Sequence, residues 1–404
     1  MDIDIRTITD EQRGDWVRAV DTAFSHTAKD DEIEASLPVI EIDRSFAAFD
    51  GDRMVATSAA ITFRMVVPGG ARVPTAGVTM VGVHPTHRRR GINTRMMRAI
   101  LDQAVERGEP MAALFASEGA IYGRFGYGLA SFFGEFEAES ARMDFVRGYQ
   151  PHGGVELLPK DEAMPFVDRV YDAALRTGGV ERSEAMRDHV FATVGEDRDK
   201  PWFYALHRDE RGEPDGYAVY TMKHDWPRSV PSGKIEVKEC VASTPSAYAD
   251  IWRFVFDVDL VATVEAWNRP TDEPLLQLVR EPRRLRFGIG DGLWVRILDV
   301  VAALEARRYS SDGRIVLEVT DSFRPETEGR YELVVEGGTG TCRRTEEDAD
   351  LAGTINVLGA TYLGGMSFAQ LWEAGRVEER SSGAVRNADA MFAFPPAPWC
   401  VYDF

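Results

Sequence analysis

Val81-Gly82-Val83-His84-Pro85-Thr86-His87-Arg88-Arg89-Arg90-Gly91-Ile92-Asn93 joins a β-rich run to a helical one. Upstream, Gly77–Val83 reads as a strand that ends at Pro85. Downstream, Ile92, Met96, Met97, Ile100, Leu101, Ala104 and Val105 keep helical spacing, and Gly108 supplies the stop. Three arginines and a glycine therefore fall at a helix mouth. Cations there oppose the helix dipole, at about 0.3–1 kcal/mol each. A chain of net charge −19 does not need them for solubility. A bound anion removes the conflict, because first-turn N–H groups and guanidiniums together cradle a phosphate or pyrophosphate. The alternative is a solvated basic turn; the strand before and the helix after favour the phosphate.

Working outward, Thr9–Phe24 reads as a helix. A strand meander follows: Phe46–Phe49, the turn Asp50-Gly51, Val55–Val67, the turn Pro68-Gly69-Gly70, then the strand into the arginine loop. Beyond Gly108 come a short strand (Met111–Ala116), a brief helix near Ala120–Phe125 and a strand over Ser131–Glu139. Tyr149–Gly154 reads as a linker. After it, helices are expected at Asp161–Arg176 and Glu181–Val194, and strands at Trp202–His207, Gly216–Met222 and Lys234–Ala242. A helix follows over Pro245–Phe256. Strand, turn and helix at Ile235–Phe256 repeat the order at Val78–Val105, a weak internal repeat of pattern.

From about Asp291 the pattern changes to α+β. It has a helix at Val300–Arg307, β-rich segments at Arg314–Thr320 and Arg330–Val335, and a glycine turn at Gly337–Gly340. Helices follow near Thr354–Leu363 and Phe368–Ala374. The tail Phe394–Phe404 is rich in proline and aromatic residues and reads as a docked terminus. Gly288–Gly292 is glycine-rich, lacks a dinucleotide-fold pattern and reads as a turn.

The loop resembles the acetyl-coenzyme-A loop of the GNAT N-acetyltransferases, R/Q-x-x-G-x-G/A. Here it runs Arg88-Arg89-Arg90-Gly91-Ile92-Asn93, with Asn93 where glycine or alanine is usual. Tyr122-Gly123-Arg124-Phe125-Gly126-Tyr127 resembles the Y-x-x-x-G-F/Y segment after the next strand of that fold. PTAGVTMVGVHPTHRRRG (74–91), SEGAIYGRFGYG (117–128), Gly292–Ile297, Ala302–Arg307 and the acidic-Phe end look like the Eis (enhanced intracellular survival) acetyltransferases. The resemblance spans the chain and is strong only in these islands. It implies an α/β and α+β architecture: tandem GNAT-fold domains, each a mixed sheet with flanking helices, then a sterol-carrier-like α+β domain. Those are 1–150 (catalytic, binding acetyl-CoA), 151–290 (degenerate, without the cofactor loop) and 291–404 (its C-terminus reaching the active site). A homohexamer is implied as well.

The implied cofactor contacts are Val81, Val83, Arg88, Arg89, Arg90, Gly91, Ile92 and Ser117. The corresponding stretch of the second copy, Glu239–Pro245, has no glycine loop and no arginine cluster, so that domain is expected not to bind coenzyme A. Acyl transfer needs a neutral amine, donors for the oxyanion and a proton for the leaving thiolate. Tyr122, by motif position, is the candidate general acid, since a phenol of reference pKa about 10 stays protonated near neutrality. Tyr127 reads as structural. His84 and His87 flank the loop and read more readily as structural than as bases, His87 facing solvent or phosphate. The resemblance implies instead the α-carboxylate of Phe404. A carboxylate of pKa about 3.5 is a weak base, yet it can position the amine and take its proton as the bond forms.

The resemblance also implies an acceptor pocket at Phe24, Thr79 and Met80. An acidic residue is usual two positions after the phenylalanine, where this chain has His26. Asp403, the acidic run Asp30–Glu32 and the net charge suit a polyamine, although Asp30–Glu32 also reads as a solvated charged loop. The acidic balance argues against general nucleic-acid binding. Cys240, Cys342 and Cys400 form no CxxC pair, which fits a reducing compartment and no cysteine zinc site. His84-x-x-His87 lacks helical ligand spacing, so no metal is expected. No signal peptide and no apolar run of membrane-spanning length are visible, and a cytoplasmic location is expected. The competing functional reading is a lipid or small-ligand binder that uses the C-terminal domain, with the GNAT portions as scaffold.

Overall fold

Alternating burial along short β-rich segments builds three sheets, and amphipathic helices cover them. The computed structural model describes residues 3–27, 29–146, 148–194 and 198–404. The chain opens with β1 (Ile3–Thr7), α1 (Arg13–Ala23), α2 (Asp30–Ser36), β2 (Ser45–Asp50), β3 (Arg53–Val66), β4 (Arg72–Val83) and α3 (Ile92–Glu106). Next come β5 (Met111–Phe115), α4 (Gly119–Tyr122), β6 (Gly128–Leu129), β7 (Phe132–Glu139), β8 (Gly153–Leu158), α5 (Lys160–Ala174) and α6 (Glu184–Val190). The run β9 (Trp202–Asp209), β10 (Pro214–Lys223), β11 (Gly233–Ala242), α7 (Pro245–Phe256), β12 (Val261–Arg269), α8 (Leu275–Leu278) and β13 (Gly288–Asp291) follows. Then come β14 (Leu293–Ile297), α9 (Val300–Ala306), β15 (Gly313–Thr320), β16 (Gly329–Glu336), β17 (Thr339–Arg344) and β18 (Leu351–Thr354). The last elements are α10 (Ile355–Thr361), α11 (Phe368–Glu373), β19 (Val377–Glu379) and α12 (Ala384–Phe392).

Contacts divide these elements into two compact units, one of residues 1–131, 176–195 and 291–404, the other of 132–175 and 196–290. The first unit holds the sheet β1-β2-β3-β4-β5-β14-β6 and the sheet β17-β16-β15-β18-β19. One apolar core runs from Phe63, Met65, Met111 and Ala113 of the first sheet to Leu317, Leu333 and Phe392 around the other. The second unit holds β13-β7-β12-β11-β10-β9-β8, with α7 laying Ile251, Trp252 and Val255 on it.

Several expectations shift. The strand at 132–139, assigned from sequence to the first domain, pairs with β12 in the other unit's sheet. The strand at 293–297, assigned to the third, inserts into the first sheet: Leu293 lies opposite Phe115 and Ile297 opposite Met111. Strand pairing is non-local and leaves no mark in the local pattern. Gly288–Asp291 is a strand rather than a turn. Gly290 lies under Phe133, whose ring would be 2.6 Å from an added Cβ, so that glycine admits a neighbour's ring rather than bending the chain. The expected linker 149–154 runs into β8 and is tied down, Tyr149 Oη and His152 N–H both donating to Asp250. Asp30–Ser36 is helical rather than a loop. The Glu32 carboxylate accepts the Lys29 N–H at 2.7 Å, and acids in the first turn complement the dipole.

The feature that positions the site is a fork. β4 and β5 run parallel and pair at Thr75–Met111, Ala76–Ala112 and Gly77–Ala113. β4 then takes up one extra residue against β3: Thr79 faces Ala59 and Gly82 faces Thr57, so Met80 and Val81 share the space opposite Ser58. Met80 is left-handed (φ +53°), and the Thr57 hydroxyl donates to its carbonyl at 3.0 Å. A bulge bends its strand, and beyond Gly77 the two strands part. Downstream, α3 buries Ile92, Met96, Met97, Ile100, Leu101 and Ala104 on the sheet. At about 1.5–3 kcal/mol per large apolar side chain, that face fixes where the helix mouth lies.

Candidate active site

The mouth of α3 opens onto a cleft of about 610 Å³. Phe24, Val81, Val83, Arg88, Arg89, Gly91, Ile92 and Ser117 line it, together with Gly82, Asn93, Thr94, Glu118, Ile121 and Arg124, which the sequence reading did not single out as lining it. Gly91 caps α3 at φ +74°, a backbone conformation that favours glycine, and a Cβ there would meet open space. Arg89 is also left-handed (φ +63°) and exposed. No side chain caps α3 and no acidic residue stands in its first turn. Its first N–H groups and their partial positive charge are therefore left to a ligand. Asn93 Oδ1 is buried at the cleft wall with no partner among the described residues. A diphosphate fits the N–H and guanidinium donors, and the Asn93 oxygen can accept only from an N–H or O–H of a long polar arm, the chemistry of coenzyme A.

Arg88 differs from its neighbours. Its guanidinium donates to Val83 O at 3.2 Å and Ala23 O at 2.9 Å, tying the end of α1 to the end of β4. Arg90 is exposed and lies outside the cleft lining. His87 is mostly buried and still lines the cleft, with Nε2 3.1 Å from Asp50 Oδ2 and Nδ1 2.7 Å from the Thr86 hydroxyl, so it braces the loop from the cleft wall rather than facing open solvent. His84 Nδ1 lies 2.8 Å from the same hydroxyl, and burial, with Arg53 adding repulsion, pushes its pKa down. Thr79 pairs with Ala59 just before the bulge and Met80 belongs to it, and neither lines the cleft.

Tyr122 is buried at the end of α4. Burial pushes its phenol above the usual tyrosine range, partly offset by a hydrogen bond with Ser117. It packs with Val78, Ala112 and Leu114 on the face of the first sheet that α3 covers. Tyr127 is fully buried with its hydroxyl on Met97 Sδ at 3.7 Å, a core residue.

The tail is docked, with Trp399, Cys400 and Tyr402 buried. The Phe404 ring sits edge-on to Phe63 at 4.6 Å and to Phe115 at 5.4 Å. Phe63 in turn covers Gly77, where a Cβ would lie 2.0 Å from its ring. Gly77 is the last paired residue of the fork, and Phe115 is the end of β5. Asp403 keeps an exposed edge, yet crowding around its carboxyl pushes the pKa up to about 6, the Phe404 N–H offsetting part of this. Phe24 is 52% exposed at the cleft rim. His26 lies outside the lining, exposed, with Nε2 3.6 Å from Glu32 Oε2. The Lys29 N–H holds the Glu32 carboxyl below its ordinary range.

In the second unit the equivalent strand-to-helix step is closed. Thr244 caps α7, its Oγ1 accepting the Ala247 N–H at 3.2 Å while its hydroxyl donates to Asp215 Oδ2 at 2.6 Å. Asp215 also lies 2.6 Å from His207, which is buried and 3.1 Å from Asp250 on its other side. A carboxylate held at that helix mouth opposes a diphosphate. In the C-terminal sheet, the apolar space among Leu317, Leu351, Val357, Phe368 and Val377 is about 20 Å³, room for about one water. A lipid chain does not fit it. Among the described residues no group of three or more His, Cys, Asp or Glu is placed to hold a metal, and no helix is long and apolar enough to cross a membrane.

Comparison with known proteins agrees with this architecture. Family models match an acetyltransferase (GNAT) domain at 4–130, another at 178–297 and a sterol carrier protein domain at 300–401. An "Uncharacterized N-acetyltransferase" of Streptomyces avermitilis is 40% identical over 100% of both chains. N-acetyltransferase Eis of Mycobacterium tuberculosis is 34% identical over 85% of this chain and 84% of its own. The crystal structure of Eis1 from Mycobacterium abscessus superposes with a TM-score of 0.87 at 32% identity, covering 99% of this chain and 100% of that one.

Proposed function

Because the chain belongs to the Eis-like N-acetyltransferases of the GNAT superfamily, we propose that it moves the acetyl group of acetyl-CoA directly onto primary amines of polycationic small molecules, aminoglycoside-like or polyamine, with lysine side chains as the related acceptor. The observation that carries this reading is the fork. It opens beside an uncapped, arginine-flanked helix mouth, with Tyr122 packed on one face of the sheet and Phe404 on the other.

In this reading Arg89, Gly91 and the first N–H groups of α3 hold the diphosphate, while backbone groups at Val81 and Val83 orient the pantetheine arm and the acetyl carbonyl. The amine nitrogen attacks the carbonyl carbon and an N–C bond forms. As the C–S bond breaks, Tyr122 gives its phenolic proton to the departing thiolate sulfur. The Phe404 carboxylate, directly or through water, takes the proton shed by nitrogen. Both groups then re-equilibrate with solvent. Asp403, Glu32 and the Phe24 ring offer negative charge and an apolar surface to a polyamine, and the net charge of −19 draws such a cation in over distance. The second GNAT copy serves as scaffold.

Turnover of acetyl-CoA with an aminoglycoside, a linear polyamine and a lysine peptide tests the proposal. Thiol release matched by N-acetylated product with at least one of the first two is the expected result. Release with the lysine peptide alone would reassign the acceptor, and no amine-dependent release from any of the three would remove the reaction.

A further inference from the structure

The turn that carries Tyr122 is short and poorly self-supporting. α4 has four residues and passes into a 3-10 turn, Gly123–Phe125, before Gly126 reverses the chain at φ +87°. Helix ends this short leave carbonyls without partners of their own. Gly123 O accepts the Gly126 N–H at 3.1 Å, and the C-terminal sheet domain adds a further tie: Asn356 Nδ2, in the first turn of α10, donates to Gly123 O and to Tyr127 O, both at 2.7 Å. One amide thus spans the turn from its start to its end.

The fit around that amide has no slack. A Cβ at Gly128 would lie 1.9 Å from Asn356 O and 2.4 Å from Ala360 N, so the α10 backbone rests directly on β6. Reciprocally, a Cβ at Gly359 would lie 2.3 Å from Val295 O on β14. On the flank, Phe125 packs edge-on to Phe323 at 5.1 Å. Arg296, fully buried and paired with Asp321, fills the space that a side chain at Gly126 would need. The Tyr122 ring itself lies 6.0 Å from the Tyr127 ring, across the same turn.

We propose that Asn356 is a positioning residue for the transfer step: by bridging Gly123 O and Tyr127 O it fixes the turn that aims the Tyr122 hydroxyl at the leaving sulfur. The sterol-carrier-like domain thereby acts as a clamp on the proton donor. This rests on Tyr122 being that donor. Asn356 stays within its own hydrogen bonds and does not reach the reacting atoms.

A double-mutant cycle in the full chain tests it. Asn356→Leu keeps size and removes the donor; Asn356→Ala serves if the leucine variant does not fold. Loss of this bridge is expected to lower kcat about tenfold, two modest hydrogen bonds' worth of aim, with KM for acetyl-CoA unchanged. In a Tyr122→Phe background the same change is expected to lower kcat no further. An equal fall in both backgrounds, an effect on KM alone, or no change in kcat would each overturn the proposal. Full turnover in Tyr122→Phe alone would instead remove the proton-donor reading, and this inference with it, whatever Asn356 does.

Discussion

Tyr122 and Phe404 stand on opposite faces of the first sheet, at the point where β4 and β5 part. Tyr122 packs with Ala112 and Leu114, Phe404 with the core that takes in Met111, Ala113 and Phe115, and successive residues of one strand point to opposite faces. In the proposed reaction, a thioester lying through the fork would have the Tyr122 side on one face and the Phe404 side on the other. Leaving thiolate and attacking amine want that separation.

Tyr122→Phe removes the proton given to sulfur and little else, since the ring stays packed. We expect kcat to fall about 100-fold, within the usual range for a lost general acid, with coenzyme A affinity and melting temperature near those of the parent. Steady-state kinetics alongside a melt check this; an unchanged kcat would contradict it.

Arg88 and Arg89 should separate by experiment. Arg88→Gln loses its bonds to Ala23 O and Val83 O and should lower stability by about 1 kcal/mol. Arg89→Gln makes no such bond and should leave the melt unchanged while weakening coenzyme A binding. The reverse pattern in paired denaturation and binding curves would show the assignments exchanged.

Asp403 gives a pH signature. Its folded pKa of about 6 lies above its ordinary value of 3.8, so the fold prefers the neutral acid. The stability this contributes is present below about pH 4 and is lost as pH rises through 6. Asp403→Asn should therefore raise the melting temperature at pH 7 and leave it unchanged at pH 4. A rise at both values would mean that the carboxyl's environment is not the cause.

The buried Arg296–Asp321 pair links β14 to the C-terminal sheet domain. Arg296→Leu strands the carboxylate and should cost about 3–5 kcal/mol, read by chemical denaturation. Arg296→Leu with Asp321→Asn should recover part of it. No recovery would assign the loss to packing.

The loop at Val81–Asn93 could be read from sequence because the apolar period changes within a few residues there, and because three arginines at a helix start demand an explanation. Arg88 shows the limit of that reading: composition places it at the mouth, but only coordinates reveal it bonded to two carbonyls. His87 lines the cleft but is held there by Asp50, a partner on a distant hairpin. Met80 and Val81 form a bulge just after Thr79, and its extra residue is defined only against β3. β7 and β14 joined sheets that local patterning could not assign, because pairing depends on strands far away in sequence. The helix at Asp30–Ser36 was hidden by its own acidic cap. Asn356 carried no motif at all; its role exists only where α10 meets the turn of another segment.

Calorimetric titration of coenzyme A into the parent chain and into Arg89→Glu with Arg90→Glu measures the grip on the diphosphate itself. One site per chain is expected in the parent and at least a tenfold loss of affinity in the variant, roughly the 1.4 kcal/mol or more expected from replacing attraction by repulsion at a diphosphate. Equal affinity in both, with the variant folded, would contradict it.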